Sequence, residues 1–109
     1  MSYNIIATPK FRQELKYLVK NIPSLKKEYS DLIASLEEKS NIGTALGNNC
    51  FKIRLAIKSK GKGKSGGARV ITYLQIINKT IFLLSIFDKS EKENISDKEL
   101  NAILQSIKN

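Results

Sequence analysis

Three stretches decide the fold: residues 50–57 (CFKIRLAI), 68–77 (ARVITYLQII) and 80–87 (TIFLLSIF). The first alternates. Phe51, Ile53, Leu55 and Ile57 fall on one side and Lys52 and Arg54 on the other, the pattern of a strand with one face on a core. The other two are β-branched and apolar almost throughout, which fits central strands covered on both faces. Asn78-Lys79 between them is a tight connection, so the pair reads as an antiparallel hairpin.

Upstream, Tyr3 to Ala7 reads as a short edge strand. Thr8-Pro9 supplies an N-cap and a first-turn proline, and Phe11, Leu15, Leu18 and Val19 follow at helical spacing. Asn21 and Pro23 break that helix. A second starts at Pro23 or Ser24 and gathers Leu25, Tyr29, Leu32, Ile33 and Leu36 on one face, so the two pair as a helical hairpin. Residues 41–49, with Gly43 and Gly47, read as a loop. Downstream of a polar loop, Ser96-Asp97-Lys98-Glu99 is a capping box that opens a short C-terminal helix carrying Leu100, Ile103, Leu104 and Ile107. The order β-α-α-β-β-β-α predicts an α+β fold, with an antiparallel sheet of about four strands and the helical hairpin on one face. A length of 109 residues predicts one domain over 1–109.

The composition restricts the chemistry. There is no histidine and only one cysteine, Cys50. An intramolecular disulfide, a Ser-His or Cys-His nucleophile and a cysteine/histidine zinc site are thereby excluded. Cys50 itself, inside a strand pattern, reads as a small buried apolar residue. No metal and no cofactor are expected, and any catalysis falls to Lys, Arg, carboxylate, hydroxyl or phenol groups. No apolar run approaches the roughly 20 residues of a membrane helix, and the N-terminus lacks the layout of a signal peptide. The expectation is a cytoplasmic protein without a membrane partner.

Charge points to the partner. The formal net charge is +9, large for this size, which implies nucleic acid or an acidic protein. No carboxylate lies between Glu38 and Asp88, while Lys39, Lys52, Arg54, Lys58, Lys60, Lys62, Lys64, Arg69 and Lys79 all fall in that interval. The densest part, 58–67 (KSKGKGKSGG), combines lysines with glycines that let backbone N–H groups approach a phosphate. Its bland alternative is a solvated hairpin loop. Strand polarity argues against that alternative, since Lys52 and Arg54 share one face of the strand entering the loop and Arg69 opens the strand leaving it. Gly63-Lys64-Ser65 is not a P-loop, because position 58 is lysine where that pattern needs glycine and a strand follows where it needs a helix.

Residues 60–71 (KGKGKSGGARVI) resemble the basic hairpin of HigB-like members of the RelE/ParE toxin superfamily. Residues 50–55 resemble that family's second strand, 81–91 (IFLLSIFDKSE) its last strand and the motif after it, and 95–100 the start of its C-terminal helix. The resemblance covers roughly 50 to 104, and the N-terminal helices share only the pattern. It implies a RelE-like microfold and a toxin of a type II toxin–antitoxin system. The basic hairpin and Lys-Ser-Glu resemble the branch that cleaves mRNA at the ribosomal A site, more than the ParE-like branch that poisons DNA gyrase. The implied partners are a cognate antitoxin, the ribosome, and messenger and ribosomal RNA. The antitoxin would cover the basic face or displace the C-terminal helix.

RNA can be cut without a metal because its 2′-OH can attack the adjacent phosphate, so positioning and fixed cations can supply much of the rate. On this reading Arg69 clamps the scissile phosphate with its planar fork. Lys52 and Arg54 stabilise the developing charge, and Lys89, matching a basic residue of the family, protonates the leaving oxygen or binds phosphate. Lys58, Lys60, Lys62 and Lys64 hold RNA backbone. The competing readings are a solvated strand face for Lys52 and Arg54, and an ion pair at the hairpin base for Arg69. Relatives carry a tyrosine near the end of the last strand or beyond it. Here position 87 is Phe and no tyrosine follows Tyr73, so the phenol role is unfilled or filled by Tyr73, which shares strand parity with Arg69 and is expected to contact RNA; a plain core residue is its competing reading, and the general base is unassigned. A gyrase inhibitor and a basic RNA-binding module without catalysis are the alternatives.

Overall fold

In the computed structural model, which describes residues 3–57 and 67–108, the three decisive stretches are the adjacent strands β3 (Cys50–Leu55), β4 (Ala68–Gln75) and β5 (Thr80–Asp88). They pair antiparallel, with Arg54 opposite Arg69 and Lys52 opposite Ile71, and with Arg69 opposite Phe87. Two shorter strands complete the sheet, β1 (Asn4–Ala7) and β2 (Thr44–Gly47), in the order β1-β5-β4-β3-β2. The α+β class agrees with the sequence reading. The strand count and the pairing sense do not.

Among the described residues the sheet has five strands and is mixed. β2 occupies the stretch read as a loop: Asn48 and Asn49 both take positive φ, the two-residue turn that joins hairpin strands, and asparagine tolerates that conformation. The glycines that signalled a loop serve this hairpin, Gly47 pairing with Cys50 past an irregular register. β1 lies parallel to β5, because the helices after it carry the chain across one face to the far edge of the sheet. Ile76 and Ile77, read as strand, lie in the β4–β5 turn, where Ile77 is 94% exposed. Their β-branched character fits a strand, but Asn4 of β1 bonds Lys79 and β5 begins only at Thr80.

The helices α1 (Pro9–Asn21) and α2 (Leu25–Glu38) pack on one face. Thr8 caps α1, its side chain accepting from the Phe11 N–H, and Phe11, Leu18, Leu25, Leu32 and Leu36 meet Ile53, Val70, Leu74, Ile81 and Leu83 in one core. The helix α3 (Asp97–Lys108) covers the other face. Ser96 and Glu99 form the capping box, and Leu100 and Leu104 pack on Cys50, Ile71, Tyr73, Leu84 and Phe87. Burial on both faces accounts for the near-continuous apolar composition of β4 and β5. No helix among the described residues is long and apolar enough to cross a membrane.

One buried group works against this core. The Thr72 hydroxyl is buried and bonds to none of the described groups. A buried hydroxyl without a partner is destabilising. Thr72→Val should therefore raise the unfolding free energy by about 1 kcal/mol. A denaturant midpoint that falls instead would show that the hydroxyl does bond in solution.

Candidate nucleic-acid interface

Register builds the site. Arg54, Arg69 and Phe87 lie directly opposite one another on β3, β4 and β5, so they form a row across the sheet, neighbours roughly 5 Å apart. The row is on the α3 face, since Phe87 packs in the α3 core while Ala68 and Val70, the strand neighbours of Arg69, pack in the other. Lys52 stands two residues along β3 on the same face. Its Nζ donates to Asn94 Oδ1 at 3.4 Å. Lys92 closes the row at the other end, its Nζ 5.3 Å from the Phe87 ring centroid and paired with Glu99.

The two arginines differ in environment. Arg54 is exposed, whereas Arg69 is only 3% exposed and donates from Nη1 to the Ala68 carbonyl at 3.1 Å. Burial, and after it the facing charge of Arg54, hold the Arg69 guanidinium below the ordinary arginine range. An arginine remains charged at neutral pH, so the shift registers how far the folded state disfavours that charge. A phosphate placed against Arg54 and Arg69 would offset their mutual repulsion, and a planar fork matches two of its oxygens. At the α3 end, the hydrogen bond from Lys92, helped by the Ser96 N–H, holds Glu99 below the usual carboxylate range. The anchor of Lys92 is therefore lost only as pH falls through that lowered value.

The structure thus brings Lys52, Arg54 and Arg69 together. The Lys89 N–H donates to the Gly67 carbonyl at 3.1 Å, which sets that residue's backbone at the start of β4, beside Arg69. Tyr73 stands opposite Cys50, buried, with its ring stacked on Phe82 at a centroid distance of 6.0 Å. Lys58, Lys60, Lys62 and Lys64 lie outside the described residues. Sequence reasoning missed Lys92 and Asn94, both inside a stretch that reads as a polar loop. Lys92 carried one faint signal, a lysine seven residues before the acidic end of the capping box.

Comparison with known proteins bears on this arrangement. Residues 16–109 match the family described as the RelE toxin of the RelE / RelB toxin-antitoxin system. The chain belongs to the RelE toxin family. It is thus a toxin of a toxin–antitoxin system, in agreement with the resemblance carried by residues 50–104. Among solved structures it is similar to a doubly arginine-substituted form of the E. coli toxin RelE in the free state, with a TM-score of 0.62, 17% identity, and coverage of 85% of this chain and 90% of the other. It is also similar to the intact E. coli RelBE toxin–antitoxin complex, at TM-score 0.61 and 16% identity, covering 80% of this chain and 96% of that one. For the RelBE2 toxin–antitoxin complex of Mycobacterium tuberculosis the TM-score is 0.56 and the identity 16%, covering 81% of this chain and 99% of that one. At these identities the likeness speaks to the fold of this RelE-family chain.

Proposed function

We propose that this RelE-family toxin is a ribosome-dependent endoribonuclease that cuts messenger RNA by attack of a 2′-OH on its own phosphate and so stops translation. The observation that carries the reading is the pair of guanidiniums, one buried and one exposed, held in direct register on the face that Lys52 shares. Arg69 and Arg54 grip the non-bridging oxygens and stabilise the extra charge of the phosphorane, which fixed cations in a partly dry site do far better than water. Lys52, oriented by Asn94, adds to that field. Lys89 protonates the departing 5′-oxygen or holds the next phosphate. Lys58, Lys60, Lys62 and Lys64 bind RNA backbone of the message and the ribosome, and Tyr73 supports the same face from beneath. No cofactor is needed, because the nucleophile belongs to the substrate.

The ribosome supplies what this surface lacks, a message held in a fixed path, so that alignment is done outside the toxin. A cognate antitoxin is the second partner, and the net charge of +9 favours an acidic segment that neutralises the cationic row.

The test is a reconstituted translation reaction with the purified protein. We expect messages cut within reading frames, 2′,3′-cyclic phosphate at the new ends, and no cutting of the same RNA without ribosomes. Intact messages with inhibited gyrase would favour the ParE-like reading. Salt-sensitive RNA binding without any product would leave only a binding module.

A further inference from the structure

The apolar strand β5 contains a break in its alternation. Ile81 and Leu83 pack in the core under α1 and α2, and Phe82 and Leu84 in the core under α3. Continued alternation would send residue 87 to the α1 side and residue 86 to the α3 side. The structure shows the reverse: Ile86 is in the α1 core and Phe87 in the α3 core. The register explains it. Ile71 pairs with Ser85, but the next residue, Thr72, pairs with Leu83, so β5 holds one extra residue, a bulge that inverts every position after it. Phe87 comes to stand opposite Arg69 and beneath Lys92 only because of that inversion.

A bulge frees backbone groups, and this one lies where β5 is paired with β4 on one side but has no strand on its β1 side. β1 reaches only from Thr80 to Leu83. Thr8 donates to the Leu83 and Leu84 carbonyls at the start of this exposed edge, and beyond it the edge is met by an acidic side chain. Glu14 of α1 accepts a hydrogen bond from the Ser85 hydroxyl at 2.9 Å and from the Ile86 N–H at 3.3 Å, both through Oε1. Its Oε2 accepts from Lys10 Nζ at 2.7 Å, which fixes the carboxylate plane. Ser85 is fully buried, so without Glu14 its hydroxyl and the Ile86 N–H would both need new partners.

We infer that Glu14 is a positioning residue of the site: it locks the β5 bulge and thereby holds Phe87, and the chain that runs on to Lys89 and Lys92, on the Arg69 face. Its bearing on catalysis rests on the nuclease reading above, while its bearing on the bulge does not. What matters is an acceptor at the right reach, not a charge. Glu14→Gln keeps the reach and the accepting oxygen but loses the charge. Glu14→Asp keeps the charge but falls one methylene short.

The experiment compares wild type, Glu14→Gln and Glu14→Asp by message cleavage in a translating reaction, and by two nuclear magnetic resonance signals, exchange of the Ile86 amide and the Overhauser contact between the Phe87 ring and Arg69. For Glu14→Asp we expect kcat to fall at least 10-fold with KM within about 2-fold, Ile86 exchange to quicken at least 10-fold, and the Phe87–Arg69 contact to be lost. Glu14→Gln should restore all three to within about 3-fold of wild type. A Glu14→Gln protein as impaired as Glu14→Asp would overturn the inference, as would a Glu14→Asp protein that keeps the Phe87–Arg69 contact and full cleavage. A wild type that shows the contact and cuts no message would sink the nuclease reading alone, and the bulge lock would then stand or fall on the two resonance signals.

Discussion

Arg69→Met should leave a folded protein whose translation-dependent cleavage is lower by about 10²–10³-fold, the usual effect of removing one fixed donor from a developing oxyanion. Methionine keeps an unbranched stem in the space that Arg69 fills and removes only the guanidinium. The guanidinium is buried and donates to the Ala68 carbonyl, and removal of one member of a buried polar arrangement leaves its partner unpaired, so some loss of stability is expected beside the loss of activity. The catalytic role predicts that cleavage stays at least 10-fold below wild type under conditions where the variant is fully folded. The purely structural role, an ion pair at the hairpin base, predicts that cleavage returns as soon as the fold does. Arg69→Lys should fall between, since it keeps a charge but not the planar fork. Melting curves read beside cleavage rates decide the matter. A folded Arg69→Met protein with undiminished cleavage would remove Arg69 from the proposed chemistry.

What the sequence disclosed depended on contrast between neighbouring residues. In β3 the alternation of Phe51, Ile53 and Leu55 with Lys52 and Arg54 is explicit, and the structure places both cations on one face. Ser96 and Glu99 disclosed the start of α3 because a capping box is local chemistry. β5 has no such contrast. In TIFLLSIF nearly every residue is apolar, so a pattern of period two and a pattern with one extra residue look alike, and the bulge that turns Phe87 toward Arg69 leaves no trace. β2 was hidden for a different reason. Gly43 and Gly47 signalled a loop, while Asn48 and Asn49, which make the hairpin turn with positive φ, were equally available to read. The rest is tertiary. Glu14 and Ser85 are 71 residues apart and Lys52 and Asn94 are 42 apart, so neither pairing has a signature at any local spacing.

Gly67→Ala should be the most damaging single-methyl change at this site, destabilising the fold by about 3 kcal/mol and removing cleavage with it. The glycines of 58–67 read in the sequence as a flexible phosphate cradle, but Gly67 has another reason to be glycine. A Cβ built there would stand 2.0 Å from the Leu55 carbonyl oxygen and 3.1 Å from the Ala56 Cα. Those are backbone atoms of the strand opposite, which cannot swing aside as a side chain can. Relief requires β3 and β4 to separate at the end where Arg54 faces Arg69. The Gly67 carbonyl also accepts from the Lys89 N–H, so movement of Gly67 carries the end of β5 with it. One methyl group would therefore displace all three strands that carry the cationic row. The loss of activity should exceed what the loss of stability explains: at a temperature and osmolyte concentration where the variant is fully folded by circular dichroism, its cleavage should remain at least 10-fold below wild type. Gly66→Ala is the natural control for the flexibility reading, under which both substitutions would do comparable harm. Full recovery of cleavage on refolding Gly67→Ala would mean that strand separation at this end does not disturb the chemistry, and that the register of Arg54 and Arg69 is not what makes the site.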